Sequence, residues 1–224
     1  MDAAMHGPDA RNLLDSLDAL TQAALLQGFH RRQVVEGELL GSPNGKRDSV
    51  FIVHGGRIRV FLAFEDKEYT LAFLEAGGIY STHSRAYVQA VRASEVLMGD
   101  TSQMAATLRS LPSAAPAIIR VLGSTLDNCM RIIEDLAFRD VEGRLARFLD
   151  GMLVRKGRPH RHGLRLTLEL NTEDIARLLG TSRQTVSSLL NRMAREGILS
   201  RPGRGVFDIH DVERLRARSQ VSAG

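Results

Sequence analysis

A short basic segment, residues 180–193, carries side chains suited to nucleic-acid recognition: Gly-Thr-Ser-Arg-Gln-Thr-Val-Ser-Ser-Leu-Leu-Asn-Arg-Met. Arg183 can form a bidentate pair with guanine, and Gln184 can form one with adenine. Ser188 would add a third contact to base edges, whereas three side chains would contact phosphates: Thr181, Arg192 and Arg204. The segment therefore predicts binding to double-stranded DNA. The plainer alternative is a helical hairpin whose polar face meets only water.

Two short helices on either side of Gly180 would hold these side chains in place. Asn171 or Thr172 can cap the first helix, and Ser182 can cap the second by accepting hydrogen bonds from its free amides. The second helix would turn four apolar residues inward: Val186, Leu189, Leu190 and Met193. This layout is that of a helix-turn-helix, whose second helix lies in the major groove of DNA.

Basic charge is concentrated in the same part of the chain. The formal net charge is +4, but residues 140–224 hold 16 Lys and Arg against 10 Asp and Glu, a net +6, and the remainder holds −2. A turn at residues 202–205 would form a wing, with Arg201 and Arg204 placed for phosphates. Phosphate contacts release counterions, so we expect DNA binding to weaken as salt rises.

The composition is that of a globular protein. The 224 residues are 43% apolar and 25% charged, and no apolar run approaches the roughly 20 residues that span a bilayer. The N-terminal residues lack the basic and apolar regions of a secretory signal. A single cysteine, Cys129, excludes an internal disulfide. We therefore expect a cytoplasmic protein with two domains and no membrane association.

Short strands separated by turns predict an antiparallel barrel in the N-terminal half. The apolar run at residues 50–53 leads into a His-Gly-Gly turn, and residues 57–62 alternate after it. Further short runs follow at residues 69–74, 86–91 and 95–98. This spacing favours a β-roll or jelly-roll sensor domain over residues 1–110, beginning with a helical stretch. Together with the helices that follow, it predicts the α+β class.

A long helix is predicted over residues 111–138. Six positions recur at steps of four and three, which is the seam of a coiled coil, so the expected partner is the same helix of a second chain: Ile118, Leu122, Thr125, Cys129, Ile132 and Leu136. The alternative is packing on the chain's own barrel, to which three flanking residues are also suited: Ile119, Val121 and Ile133. Residues 138–140 would then form a hinge to a winged helix-turn-helix domain over residues 139–224.

The order of barrel, dimerisation helix, hinge and winged helix-turn-helix resembles the Crp/Fnr family of bacterial transcription regulators. The resemblance covers roughly residues 34–215 and is most specific at residues 181–193. It implies a homodimer that binds a palindromic operator, contacts RNA polymerase, activates transcription and is not an enzyme.

Members of this family differ in what the barrel senses. Cyclic-nucleotide members carry a Gly-Glu pair followed by an Arg, a small hydroxyl residue and Ala. Here the stretches are Gly77-Gly78 and Ser84-Arg85-Ala86, which lack the acid and lie too close together. An iron–sulfur member needs four cysteines, which one chain with only Cys129 does not provide.

Residues 57–90 and 121–136 look like the haem-containing carbon monoxide sensors of this family. By that resemblance His83 ligates the iron of haem b, and three helix residues line an apolar gas pocket: Ile119, Leu122 and Gly123. Neutral imidazole is a strong ligand of haem iron. The resemblance gives the N-terminal amino group as the second ligand: Met1, or Asp2 after removal of Met1, with His6 a further candidate.

Two alternatives to this interpretation remain open at the level of sequence. From spacing alone, His83 would be an ordinary surface histidine. The other regulator interpretation keeps the DNA-binding function and changes the signal: haem that senses nitric oxide or redox state, or a barrel that binds another small molecule. A cupin-like metalloenzyme would need clustered histidines, which the barrel region lacks. Ser81 stands where some haem-containing relatives carry a cysteine ligand, so a thiolate-to-imidazole switch is not expected.

Overall fold

The computed structural model describes residues 13–14, 17–45, 48–65, 67–161 and 163–220. They form two compact units, one ending at Cys129 and the other beginning at Met130, and the division falls within the longest helix. The expected α+β class is confirmed. Within the described residues, none of the helices combines the length and apolar character needed to span a bilayer.

Two four-stranded antiparallel sheets make up most of the first unit. The strands are β1 (His30–Val34), β2 (Leu39–Gly41), β3 (Ser49–Gly55), β4 (Ile58–Phe64), β5 (Lys67–Leu74), β6 (Ile79–Ser81), β7 (Tyr87–Ala90) and β8 (Ser94–Asp100). Their orders in the two sheets are β1-β8-β3-β6 and β2-β7-β4-β5. Buried apolar side chains from both sheets form one core, so the sheets pack face to face as the predicted roll requires.

Three helices accompany this roll: α1 (Ala19–Leu26), α2 (Thr101–Ser110) and α3 (Ala115–Phe138). They share a second core in which Leu25, Met104 and Ala117 pack with Val50 of β3. Helix α2 was not predicted, because Met104 is its only buried residue and its sequence therefore lacks a clear apolar period. Pro112 lies in a separate 3-10 turn, so only Pro116 occupies the first turn of α3.

The second unit contains the remaining elements: α4 (Val141–Lys156), β9 (Arg158–His160), β10 (Gly163–Thr167), α5 (Thr172–Leu179), α6 (Arg183–Arg195), β11 (Leu199–Gly203), β12 (Val206–Ile209) and α7 (Val212–Ser219). The strands form one sheet in the order β11-β12-β10-β9. Asp140 caps α4, because its carboxylate accepts a hydrogen bond from the Gly143 amide at 2.7 Å. The basic stretch after α4 contributes β9.

The faces of α3 correct part of the predicted seam. Ile118 packs against the second core of the first unit, and Ile132 is only 6% exposed, so both face the chain's own atoms. The exposed apolar positions instead begin at Ile119, one residue later. With the half-buried Cys129 they keep heptad steps of three and four: Ile119, Leu122, Leu126, Cys129, Ile133 and Leu136. The predicted seam and this exposed seam share three residues: Leu122, Cys129 and Leu136. Thr125 belongs only to the predicted seam and is exposed beside the other.

Candidate functional site

The first helix of the helix-turn-helix is held by a capping box. The side chain of Asn171 accepts hydrogen bonds from the amides of Glu173 and Asp174 at 2.8 and 3.0 Å. In return the Asp174 carboxylate accepts one from the Asn171 amide at 2.9 Å. Gly180 ends α5 in the left-handed region, with φ of 64°, where a glycine has no steric penalty. Asn171 is therefore the cap, and the predicted turn is confirmed.

Helix α6 presents the residues predicted to contact bases. Ser182 caps it by accepting a hydrogen bond from the Thr185 amide at 3.0 Å. The inward face consists of three fully buried residues: Val186, Leu190 and Met193. Leu189 lies half-buried beside them. Arg183, Gln184 and Ser188 are exposed on the opposite face. Thr181 is half-exposed in the turn.

A basic groove opens beside the start of α6. Arg183, Arg201 and Arg204 line it together with residues around the α5 cap, and its volume is about 480 Å³. Arg201 donates a hydrogen bond to the hydroxyl of Thr172 at 3.3 Å and lies 6.0 Å from the ring centre of Phe207. Three guanidinium groups around one concave surface suit a phosphate backbone.

Arg192 has a different environment from the one predicted. Its guanidinium pairs with Glu142 of α4. The same carboxylate pairs with Arg218 of α7 at 2.6 Å, and Arg218 also pairs with Glu196. The charge of Arg192 is thus already matched within the winged domain, because its position on α6 faces α4 and α7. A phosphate would have to compete with Glu142 for it.

His83 lies in the connection between β6 and β7. Its side chain is 61% exposed, and its Nδ1 lies 3.4 Å from Oδ1 of Asp48. Its amide donates to the Ser81 hydroxyl at 3.3 Å, so Ser81 serves the loop's backbone. Among the described residues no hydrogen bond or ion pair engages Nε2. Metal-binding histidines commonly direct one ring nitrogen at a carboxylate and the other at the metal.

Asp48 was not identified from the sequence, because it lies far from His83 along the chain. The pairing of β3 with β6 brings the two together: Val50 lies opposite Ser81. One step further on, the Thr82 amide donates to the Ser49 carbonyl at 2.8 Å. No local motif marks such a contact, since it depends on the register of two strands.

Tyr80 is a second residue of this region that sequence reasoning missed. Its hydroxyl donates a hydrogen bond to the Ser84 hydroxyl at 2.9 Å, and its ring contacts the roll's core. Burial raises the pKa of Tyr80 above its usual value. The phenol therefore stays neutral, and it anchors the loop that carries His83.

The helix residues expected to line a gas pocket lie on the exposed side of α3. Ile119 and Leu122 are 67% and 62% exposed. A Cβ built at Gly123 would meet no atom within 4 Å, so the space beside this residue is open. Met1, Asp2 and His6, the candidates for a second ligand, lie outside the described residues.

Two comparisons with known proteins cover different parts of the chain. Residues 143–218 match the Crp-like helix-turn-helix domain family. Over 216 residues the chain is 28% identical to the CRP-like cAMP-activated global transcriptional regulator of Mycobacterium tuberculosis, with 92% of each protein covered.

Among solved structures, the chain is similar to carbon monoxide sensors. It is 40% identical to a CooA mutant from Carboxydothermus hydrogenoformans, covering 88% of this chain and 90% of that one, with a TM-score of 0.82. It is 33% identical to the reduced CO-sensing protein from R. rubrum, covering 95% and 98%, with a TM-score of 0.51. The chain belongs to the Crp/Fnr family of transcription regulators. It is a DNA-binding protein and not an enzyme, which removes the metalloenzyme alternative.

Proposed function

We propose that this protein is a CooA-like regulator, which binds haem b and activates transcription when carbon monoxide is present. The observation that carries the proposal is the placement of His83, exposed in a loop with Nδ1 facing Asp48 and Nε2 not engaged by any described residue. Identity of 40% with a CooA structure over most of both chains supports it. When bound, haem would supply an iron that takes up a neutral diatomic gas.

The residues present fit such a group. His83 would hold the iron through Nε2, and Asp48 would fix the orientation of the imidazole. Ile119 and Leu122 offer apolar surface suited to a porphyrin and an uncharged gas, with open space at Gly123. Met1, or Asp2 if Met1 is removed, would provide the exchangeable second ligand, with His6 a further candidate.

The output of the proposed regulator is a dimer bound to DNA. We propose that α3 pairs with its copy through the exposed seam that runs from Ile119 to Leu136, since large apolar faces of this kind mark interaction surfaces. Two copies of α6 would then enter major grooves about 34 Å apart on a palindromic operator. Arg183, Gln184 and Ser188 would read bases, and three residues would contact phosphates: Thr181, Arg201 and Arg204. RNA polymerase would be the partner of this cytoplasmic complex.

A second candidate effector is a cyclic nucleotide, favoured by the similarity to the mycobacterial cAMP-activated regulator. It requires an acid for the ribose. Gly77 and Gly78 occupy the stretch where cyclic-nucleotide members carry their Gly-Glu pair. Nitric oxide, redox state and other small molecules remain alternatives for the same barrel.

The test is haem titration of the purified protein and of two matched variants. His83→Ala should lose the Soret band of bound haem or shift it markedly. His54→Ala, which removes another exposed histidine of the roll, should leave the band unchanged. Carbon monoxide should then increase the affinity of the reduced protein for operator DNA in a fluorescence anisotropy assay. A protein that takes up no haem, and whose DNA affinity responds to cAMP instead, would establish the second candidate.

A further inference from the structure

A buried carboxylate lies beside the break between α3 and α4. Asp135, on the last turn of α3, has no exposed surface. Its Oδ1 lies 2.8 Å from Nη1 of Arg139 and 3.5 Å from Nε of Arg147, which belongs to α4. A buried ion pair gains little net stability, because desolvation offsets its attraction, but its loss leaves a charge uncompensated. Such a group is better suited to fixing one arrangement of helices than to general stability.

The second carboxylate oxygen of Asp135 differs from the first in its hydrogen bonding. Oδ2 is buried and has no hydrogen-bond partner among the described residues. Burial raises the pKa of Asp135 in spite of the two neighbouring guanidinium groups. Half of the carboxylate's hydrogen-bonding capacity is therefore unmet in this arrangement, which is costly in a protein interior. An arrangement of α3 and α4 that supplied a donor to Oδ2 would compete with the present one.

Hydrogen bonds continue from Arg139 to the DNA-binding elements. Its Nε donates to the Ser219 carbonyl, at the end of α7, at 3.1 Å. Its own carbonyl accepts a hydrogen bond from Nη1 of Arg144 at 2.8 Å. Arg144 in turn donates from Nε to the Leu179 carbonyl at 3.1 Å, at the end of α5 and one residue before the turn of the helix-turn-helix. The last turn of α3 is thereby linked to the end of α5 and to the end of α7.

We infer that Asp135 is a positioning residue for DNA binding: it clamps the last turn of α3 to α4, and through Arg139 and Arg144 it sets the placement of α5 and α7. This inference goes beyond the proposed function, because it does not depend on which effector the barrel takes. The side chain that joins the end of α3 to the placement of α5 and α7 would itself contact neither DNA nor effector.

Glu134 provides a matched control on the same turn. Its Oε1 lies 3.1 Å from Arg139 and 3.7 Å from Arg147, so it faces the same two arginines, but its side chain is 46% exposed. Asp135→Asn and Glu134→Gln each remove one negative charge without a change of size. The inference predicts different outcomes for the two, whereas a general effect of net charge predicts the same outcome.

The experiment measures one distance and one affinity in the full-length protein. Spin labels at Ala137→Cys and Arg195→Cys, in a Cys129→Ser background and diluted with unlabelled chain, report the placement of α6 relative to the end of α3. Asp135→Asn should shift or broaden this distance distribution and change operator affinity by about 2- to 30-fold. Glu134→Gln should leave both unchanged. Thermal unfolding, measured in parallel, separates this from a loss of fold.

The inference is overturned if Asp135→Asn is folded and gives the distance distribution and operator affinity of Glu134→Gln. Should Asp135→Asn fail to fold, Arg147→Lys provides the second test, since it keeps the charge but removes the Nε contact. Its distance distribution must then differ from that of the unsubstituted protein, and an unchanged distribution would equally refute the inference. The distance distribution and the thermal unfolding require neither haem nor carbon monoxide, so a failure of this inference is distinguishable from a failure of the proposed function.

Discussion

At the scale of single residues, two arginines of α6 that were predicted to contact DNA lie in different surroundings. Arg183 lies in the exposed first turn of α6, whereas Arg192 is held by Glu142. From the sequence, both are cations outside the apolar face of the helix, and both are predicted to contact DNA. Only the packing of α6 against α4 and α7 shows that their surroundings differ.

Arg183→Ala should weaken operator binding by about 1–3 kcal/mol and relax the base preference at one position of each half-site, because a bidentate contact is lost. Arg192→Ala should leave base preference unchanged and lower the thermal stability of the winged domain instead. Competition binding with single-base operator variants, together with thermal unfolding, measures both effects. A loss of base preference in Arg192→Ala alone would reverse the assignment.

A second residue-scale prediction concerns acid stability. The side chain of Arg165 donates hydrogen bonds of 2.6 and 2.7 Å to the Asp208 carboxylate, and they lower the pKa of Asp208 below its usual value. A carboxylate with a depressed pKa stabilises the fold above its unfolded-state pKa of about 3.9. This stabilisation is lost as the pH falls through the lower pKa of the folded state.

Asp208→Asn should therefore be less stable than the unsubstituted protein near neutral pH. The difference in stability between the two proteins should become smaller under acid conditions. Thermal unfolding between neutral pH and about pH 3 measures this convergence. Two curves that remain parallel over the whole range would show that Asp208 titrates alike in the folded and unfolded states.

At the scale of elements, the wing depends on one glycine. Gly205 has φ of +70°, and a Cβ built there would lie 2.3 Å from the Leu168 carbonyl oxygen. Its own carbonyl accepts a hydrogen bond from the Leu168 amide at 2.8 Å, so the two backbones are in close contact. Sequence predicted the turn, but this approach of Leu168 to the wing is a tertiary contact without a local signal.

Gly205→Ala should destabilise the winged domain by at least about 1–2 kcal/mol from backbone conformation alone, with the clash in addition. Gly203→Ala is the control, because its nearest atom would lie 3.9 Å away. Equilibrium unfolding and operator affinity should both decline in the first variant and remain near the original values in the second. Equal effects would mean that the wing tolerates movement at Gly205.

Local sequence patterns predict the helix caps of this protein but not every helix or its buried face. The caps at Asn171, Ser182 and Asp140 were predictable, because each needs only a side chain and the amides that follow it. Helix α2 and the orientation of α3 were not. Both depend on which face of a helix meets the roll, and a heptad spacing alone fits two adjacent sets of positions.

At the scale of the whole molecule, the orientation of α3 decides how two copies can associate. Leu126 lies on the exposed seam, and Thr125 lies beside it. If α3 pairs through this seam as proposed, Leu126→Glu should convert the dimer to monomer at micromolar concentration, because it would place a charge at the centre of an apolar contact. Thr125→Glu should have a smaller effect. Sedimentation equilibrium measures both, and a stronger effect of Thr125→Glu would restore the seam first expected from the spacing.

The exposed seam of α3 also has a consequence for the lone chain. Five large apolar side chains on the seam are each about half exposed or more, and we expect their contact with water to carry a cost that association would remove. The thermal midpoint of the protein should then rise with protein concentration, as measured by scanning calorimetry over a hundredfold dilution series. Each dimer needs two chains, so at low concentration the amount of dimer would grow faster than the amount of chain.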